Sequence, residues 1–155
     1  MIKILFICHG NICRSPMAEF VMKDIVSREG TADQFYIESA ATSTEEIWNG
    51  VGNPVYPPAK KKLAEHGLSC DGKRARQMTK SDYEKYDLLI GMDDANIRNM
   101  NRIAGTKNSE KITLLLDYAG IHRGISDPWY TGDFEATWQD VKTGCEALYK
   151  ELMKK

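Results

Sequence analysis

In the run Cys8-His9-Gly10-Asn11-Ile12-Cys13-Arg14-Ser15-Pro16, a cysteine and an arginine are separated by five residues. A loop of that length can wrap around one phosphate. The cysteine supplies a nucleophile, the loop amides supply donors, and the arginine supplies a planar fork for two oxygens. Gly10 is expected to take up backbone conformations closed to other residues, and Asn11 to tolerate the left-handed region. Ser15-Pro16 reads as an N-cap followed by proline at the first helical position, which aims the positive end of a helix into the same space. That field favours the thiolate form of Cys8. A thiolate can attack phosphorus, expel an alkoxide or phenoxide and leave a cysteinyl-phosphate. The same donors would stabilise the equatorial oxygens of the transition state. The Ser15 hydroxyl is placed to donate to the sulfur, making it a better leaving group when water attacks. These are the parts a phosphate-monoester hydrolase with a covalent intermediate would need. Singly they have plainer readings: a buried small hydrophobe, a solvated arginine, a Gly-Asn turn. A nucleotide-binding P-loop needs Gly-Lys-Ser/Thr and a dinucleotide fingerprint needs three spaced glycines; neither is present.

Such a loop has to be held by regular structure. Ile2 to Ile7 is a continuous apolar run, as expected of a strand buried on both faces. Ala18, Val21, Met22, Ile25 and Val26 recur at helical spacing, so a helix runs from Ser15 to about Glu29, with Gly30 ending it. Phe35 to Ser39 reads as a second strand, and residues 40–58 as a loop with Trp48 in its middle. Ala59 to His66 is a second helix closed by Gly67, its Lys60-Lys61-Lys62 run a solvated face. Thr79-Lys80-Ser81-Asp82 opens a short third helix with a capping box. Asp87 to Met92 is a third strand, Asp93-Asp94 opens a fourth helix to about Ile103, and Lys111 to Leu115 is a fourth strand. Residues 117–132 form a second long loop, and Asp133 begins a last amphipathic helix. Strands alternating with helices predict an α/β fold: a single doubly wound domain over 1–155, its four-stranded parallel sheet flanked by helices on both faces. In such sheets ligands sit beyond the carboxyl ends of the strands, near a switch point in strand order. Cys8 is at the carboxyl end of the first strand.

The chain has 155 residues, 42% of them hydrophobic and 28% charged, with a net charge of −1. That composition is globular and points to neither nucleic acid nor an anionic membrane, so a ligand's charge must be met locally. The short apolar start is not a signal peptide, and no stretch is long enough to span a bilayer, so the expected location is the cytoplasm. Cys8, Cys13, Cys70 and Cys145 show neither zinc spacing nor a secreted disulfide framework; free thiols, and neither metal nor cofactor, are expected.

The Cys8–Pro16 loop closely resembles the signature loop of the low-molecular-weight protein tyrosine phosphatases. Asp127-Pro128-Trp129-Tyr130 resembles that family's second motif, an Asp-Pro followed by aromatics, and order, spacing and length fit from end to end. The resemblance implies that His9, Gly10, Asn11, Ile12, Cys13, Arg14 and Ser15 form the phosphate-binding loop behind the nucleophile Cys8. It makes Arg14 the phosphate ligand and Asp127 the general acid. It also implies phosphotyrosine-containing proteins as partners, for a chain that is monomeric or weakly self-associating. Chemistry supports Asp127: one carboxyl group can protonate the departing phenoxide and then serve as base for water. Since thiolate and neutral acid must coexist, a bell-shaped pH–rate profile with its optimum on the acid side is expected. Trp129 and Tyr130 are expected to form one wall of a deep slot that suits a phenyl phosphate better than a short phosphoserine. Trp48 is a candidate for another wall, the alternative being a loop aromatic packed on the core. By position Asn11 and Ser15, with His66 from the second helix, match the family's bracing residues, and Asp93 a further loop-bracing aspartate. Plainer roles for the last two are a helix-end histidine and a helix cap. His9 departs from the commoner apolar or small residue and is expected to tune the rim. Cys13 is a redox candidate: a Cys8–Cys13 disulfide would block the nucleophile yet shelter it from over-oxidation.

Several rivals share these residues. An arsenate reductase on the same scaffold needs further cysteines near the site, and residues 78–92 contain none. A protein-arginine phosphatase usually has threonine where this chain has Ile12. A non-hydrolysing phosphoprotein-binding module would not need Cys8, Arg14 and Asp127 together. A metal site of Cys8, His9 and Cys13 lacks a fourth ligand.

Overall fold

The computed structural model describes residues 1–154. Its elements are, in chain order, β1 (Ile2–Cys8), α1 (Arg14–Arg28), β2 (Phe35–Ala41), β3 (Ile47–Trp48), β4 (Val51–Gly52), α2 (Pro57–Glu65), α3 (Lys80–Lys85), β5 (Leu88–Gly91), α4 (Asp94–Ala104), β6 (Ile112–Leu114), α5 (Pro128–Thr131) and α6 (Phe134–Leu152). From Ile4 to Cys8, β1 is apolar and buried because it is an inner strand of the sheet, covered on both faces. Ile4 and Phe6 face one core with Cys8, while Leu5 and Ile7 face the other, the alternation a pleated strand imposes.

The main sheet has the order β2-β1-β5-β6, with every pair parallel, as the alternation of elements predicts. β2 runs beside β1 from Ile2↔Phe35 to Cys8↔Ala41, and β5 flanks the other side from Ile4↔Leu88 to Ile7↔Gly91. One core is closed by Met17, Val21 and Met22 of α1, Ala59 and Leu63 of α2, and Trp138, Val141 and Leu148 of α6. The opposite core packs Tyr86 and Met100, from the α3 and α4 side, against Leu5, Ile7 and Leu89. Helices therefore cover both faces. Strand order reverses at β1: the chain goes outward to β2, then returns to β5 on the other side. That reversal opens a crevice at the carboxyl ends of β1 and β5.

The segment 40–58, expected to be only a loop, contains the two-stranded hairpin β3–β4. Its turn is Asn49-Gly50 with φ of 50° and 76°, the left-handed pair that a two-residue hairpin connection requires. Gly52 lets this hairpin lie against the main chain at Ala75, where a Cβ would fall 1.8 Å from the carbonyl oxygen. The segment 117–132 also contains a helical turn, α5. α1 begins at Arg14, two residues earlier than the Ser15-Pro16 signal places it. Cys13, not Ser15, is its N-cap and makes no side-chain cap bond, while the Ser15 hydroxyl faces Cys8. Thr79 and Asp82 do form the capping box of α3. Among the described residues, no helix is long and apolar enough to cross a membrane.

Candidate active site

Between β1 and α1 the backbone doubles back at Asn11, whose φ is 60°. Asn11 makes the left-handed turn, Gly10 is not among the positive-φ glycines, and a Cβ on Gly10 would meet Glu46 Cγ at 3.2 Å. The turn brings the Asn11 N–H to 3.2 Å from Cys8 Sγ, and the Ser15 hydroxyl lies 3.0 Å from the same sulfur. Asn11 Nδ2 donates to Ser15 Oγ at 2.8 Å, which leaves the Ser15 proton free to point at the sulfur. Both contacts aim donors at the sulfur.

Behind the loop lies a buried polar chain. Asn11 Nδ2 also donates to Ser39 Oγ at 2.9 Å, and Ser39 donates to Glu19 Oε1 at 2.5 Å. Lys73 Nζ lies 3.1 Å from Glu19 Oε1 and donates to the Ser39 carbonyl at 2.8 Å, while Lys23 reaches the other Glu19 oxygen at 2.7 Å. The Arg76 N–H donates to Asn11 Oδ1 at 3.2 Å. Each polar atom that fixes the Asn11 side chain is thus itself fixed, the condition for holding a cradle to within a fraction of an ångström.

Arg14 is buried. Its Nη1 donates to Asp93 Oδ2 at 2.7 Å and to the Ile125 carbonyl at 2.8 Å, and its Nη2 lies 3.5 Å from Asp127 Oδ2. Burial disfavours its charge, but Cys8, the Asp93 hydrogen bond and the neighbouring carboxylates outweigh that and push the guanidinium pKa up. Asp93 fills both roles considered for it: Oδ1 caps α4 through Asn96 N–H at 2.8 Å, while Oδ2 holds Arg14. Asp127 caps α5 by accepting from Trp129 N–H at 3.0 Å. Topology explains the meeting. Cys8 and Asp93 sit at or just beyond the carboxyl ends of neighbouring parallel strands, and Asp127 lies on the connection that follows β6.

A cavity of about 120 Å³ opens over these groups. Cys8, Cys13 and Arg14 line it together with Ile12, Asp127, Trp129 and Tyr130. The Trp129 ring is steadied by Tyr56, with centroids 4.7 Å apart. Cys13 is buried beside Cys8, and both thiols are free. Burial first, then the charges of Cys8 and Asp127, push the Cys13 thiol up, so Cys13 stays protonated while Cys8 is the sulfur served by donors. His9, Glu45 and Glu46 stand at the mouth, with His9 Nε2 2.9 Å from Glu45 Oε2. Among the described residues, no group of three or more His, Cys, Asp or Glu is arranged to hold a metal.

The family model for low molecular weight phosphotyrosine protein phosphatases matches residues 3–155. The chain belongs to that family. It is 40% identical to the low molecular weight protein-tyrosine-phosphatase YfkJ of Bacillus subtilis, over 99% of this chain and 97% of that protein. The crystal structure of YfkJ superposes with a TM-score of 0.92 at 39% identity, covering 98% of this chain and 94% of the other. The chain is 39% identical to the low molecular weight phosphotyrosine protein phosphatase of Mus musculus, over 96% of this chain and 94% of that one. SP-PTP, a low molecular weight protein tyrosine phosphatase of Streptococcus pyogenes, has 42% identity and a TM-score of 0.87, covering 100% of this chain and 95% of the other.

Two residues that the phosphatase resemblance drew to the site lie elsewhere. Trp48, at the tip of the hairpin, is 78% exposed and does not line the cavity; the 40–58 segment contributes Glu45 and Glu46 instead. His66 is exposed at the end of α2 and stacks on Trp138 of α6, with centroids 3.8 Å apart and planes 7° from parallel. The packing of α2 on α6 carries it away from the loop, and Lys73 braces the Ser39 end of the network. Glu19, Ser39 and Lys73 were not anticipated. Glu19 carried a readable signal: it lies four residues after Ser15, on the buried face of α1.

Proposed function

We propose that this phosphatase hydrolyses phosphotyrosine in proteins, and small aryl phosphates, through a phosphorylated Cys8. One observation carries the assignment of roles. A sulfur facing the Asn11 N–H and the Ser15 hydroxyl lies under a cavity also lined by Arg14 and Asp127. Cys8 Sγ attacks phosphorus in line as the bond to the tyrosine oxygen breaks, and Asp127 gives its proton to the departing oxygen. Arg14 and the loop amides hold the equatorial oxygens as charge shifts onto them. Asp127, now a carboxylate, takes a proton from water. The resulting hydroxide equivalent forms the new phosphorus–oxygen bond, the phosphorus–sulfur bond breaks, and Ser15 donates to the departing sulfur. Inorganic phosphate leaves and Cys8 is restored.

The 3.5 Å separation of Arg14 from Asp127 suits this sequence. It is long for a hydrogen bond, so a phosphate that takes the guanidinium fork displaces a weak contact. Arg14 keeps its bond to Asp93 throughout. The apolar Ile12 and the Trp129 ring favour an aryl group above the phosphate. All these groups come from one chain, so we read it as a single catalytic domain, working alone or in weak self-association, on cytoplasmic phosphoproteins.

Hydrolysis of p-nitrophenyl phosphate in EDTA tests the reading. Wild type should be active and Cys8→Ser inactive. Asp127→Ala should lose about 10²–10⁴-fold on phenyl phosphate and much less on p-nitrophenyl phosphate, whose leaving group needs no proton. Activity in Cys8→Ser, or equal losses on both esters, would overturn it.

A further inference from the structure

We infer that Glu45 and Glu46 make this enzyme select phosphotyrosines flanked in sequence by lysine or arginine. This rests on the reading of Cys8 as the reacting centre and goes beyond it, because it concerns the part of the substrate that never enters the cavity. A cavity of about 120 Å³ has no room for the peptide as well as the phosphorylated side chain. The peptide on either side of the tyrosine must therefore run across the mouth, where Glu45, Glu46 and His9 stand.

The charge there is one-sided. Among the described residues, the only cation lining the cavity besides His9 is Arg14, which is 3% exposed and committed to Asp93 and to phosphate. Two carboxylates against one imidazole leave the mouth negative whichever form His9 takes. Among the described residues neither glutamate pairs with a lysine or arginine, whereas Glu19, Glu65 and Glu135 all do. A basic side chain of the substrate would supply the missing cation.

Both carboxylates are also held in place. His9 fixes Glu45 Oε2 at 2.9 Å, and the Asn53 side-chain amide donates to Glu46 Oε1 at 3.0 Å. Each keeps an oxygen with unused acceptor capacity. Pre-ordering of this kind lowers the entropy lost when a flexible lysine or arginine docks. An acidic flank meets repulsion in the same place, so the rim discriminates by rejection as well as attraction.

Three phosphotyrosine peptides that differ only in carrying lysine, alanine or glutamate beside the phosphotyrosine provide the test, with p-nitrophenyl phosphate as a substrate that has no flank. Wild-type kcat/KM should fall in the order lysine, alanine, glutamate, with a lysine-to-glutamate ratio of about tenfold, since each exposed pair is worth a few-fold. The ratio should shrink in 0.5 M salt, as screened surface charges require, and approach unity in Glu45→Gln/Glu46→Gln. A wild-type ratio at or below unity, or a double variant that keeps the wild-type ratio, overturns the inference. If that happens while wild type still turns over p-nitrophenyl phosphate through Cys8, the catalytic reading stands and only the rim assignment falls. A wild type inactive on every substrate overturns both.

Discussion

Replacing Glu19 with alanine removes a carboxylate that touches no reacting atom, and the consequences should be large. Glu19 is 1% exposed, yet its two oxygens meet Ser39, Lys73 and Lys23. Lys23 is 43% exposed and loses little, since water replaces the carboxylate. Lys73 is only 10% exposed, and without Glu19 its ammonium keeps just the Ser39 carbonyl. Leaving a buried charge unpaired typically costs about 3–5 kcal/mol. For a domain of this size that is a fall of roughly 6–20 °C in Tm. Lys73→Met in the same chain removes the stranded charge, so the double variant should regain about half of the loss. Glu19→Ala should also lower kcat for p-nitrophenyl phosphate more than it raises KM. Ser39 then has no acceptor to orient it, and the Asn11–Ser15 pair beneath the sulfur loosens. Thermal melts of wild type, both single variants and the double variant close the cycle. A Glu19→Ala protein as stable as wild type, or a double variant that loses as much as the two singles together, would refute the account of Glu19 as the counter-charge of a buried lysine.

Ser15→Ala should slow breakdown of the phosphorylated Cys8 more than its formation. Loss of a hydrogen bond to a charged group is worth about 1.5–3 kcal/mol, or roughly 10–100-fold, so a burst of p-nitrophenolate should become visible in stopped flow; equal slowing of both steps would exclude the leaving-group role. Gly52→Ala places a Cβ 1.8 Å from the Ala75 carbonyl oxygen and should cost about 1–3 kcal/mol in urea unfolding as the hairpin is pushed off that segment. For Asp82, burial opposes the charge, but bonds from Arg76 and the Thr79 N–H outweigh it and hold the carboxyl below its usual 3.8. A folded-state value below the unfolded one means that the stabilisation is complete above pH ~4 and is lost as pH falls through the folded value. Asp82→Asn should flatten that acid limb of the urea midpoint and leave its slope at pH 5–8 unchanged.

The Cys8–Ser15 loop and the sheet that carries it were legible because their information is local. Cys8 to Ser15 is one contiguous loop between a strand whose alternate residues fill two cores and a helix with clear apolar spacing. Asp93 was legible for a similar reason, as the cap residue of α4 just past a strand. Asp127 came only from a motif, since nothing local distinguishes an acid that caps four residues from one that protonates a leaving group. The bracing network was hidden by distance in sequence. Ser39 belongs beside Cys8 only because β2 pairs with β1 in register, Phe6 opposite Ser39, two residues short of Cys8 opposite Ala41. Lys73 arrives on a segment with neither helical nor strand periodicity, so no pattern announces where it goes. Assigning the bracing role to His66 failed for the same reason. A position at the end of α2 does not reveal which neighbour that helix packs on, and packing on α6 gave the ring to Trp138. The Asn49-Gly50 pair was the reverse case, a strong local hairpin signal within a stretch whose overall composition suggested only a loop. Trp48 follows from it. A residue beside a two-residue turn has no core beneath it, so it projects into solvent while Glu45 and Glu46, before the first strand of the hairpin, reach the cavity. The mouth of the site is therefore charged where a further aromatic wall, beside Trp129 and Tyr130, was expected, and the inferred choice of basic flanks rests on that charge.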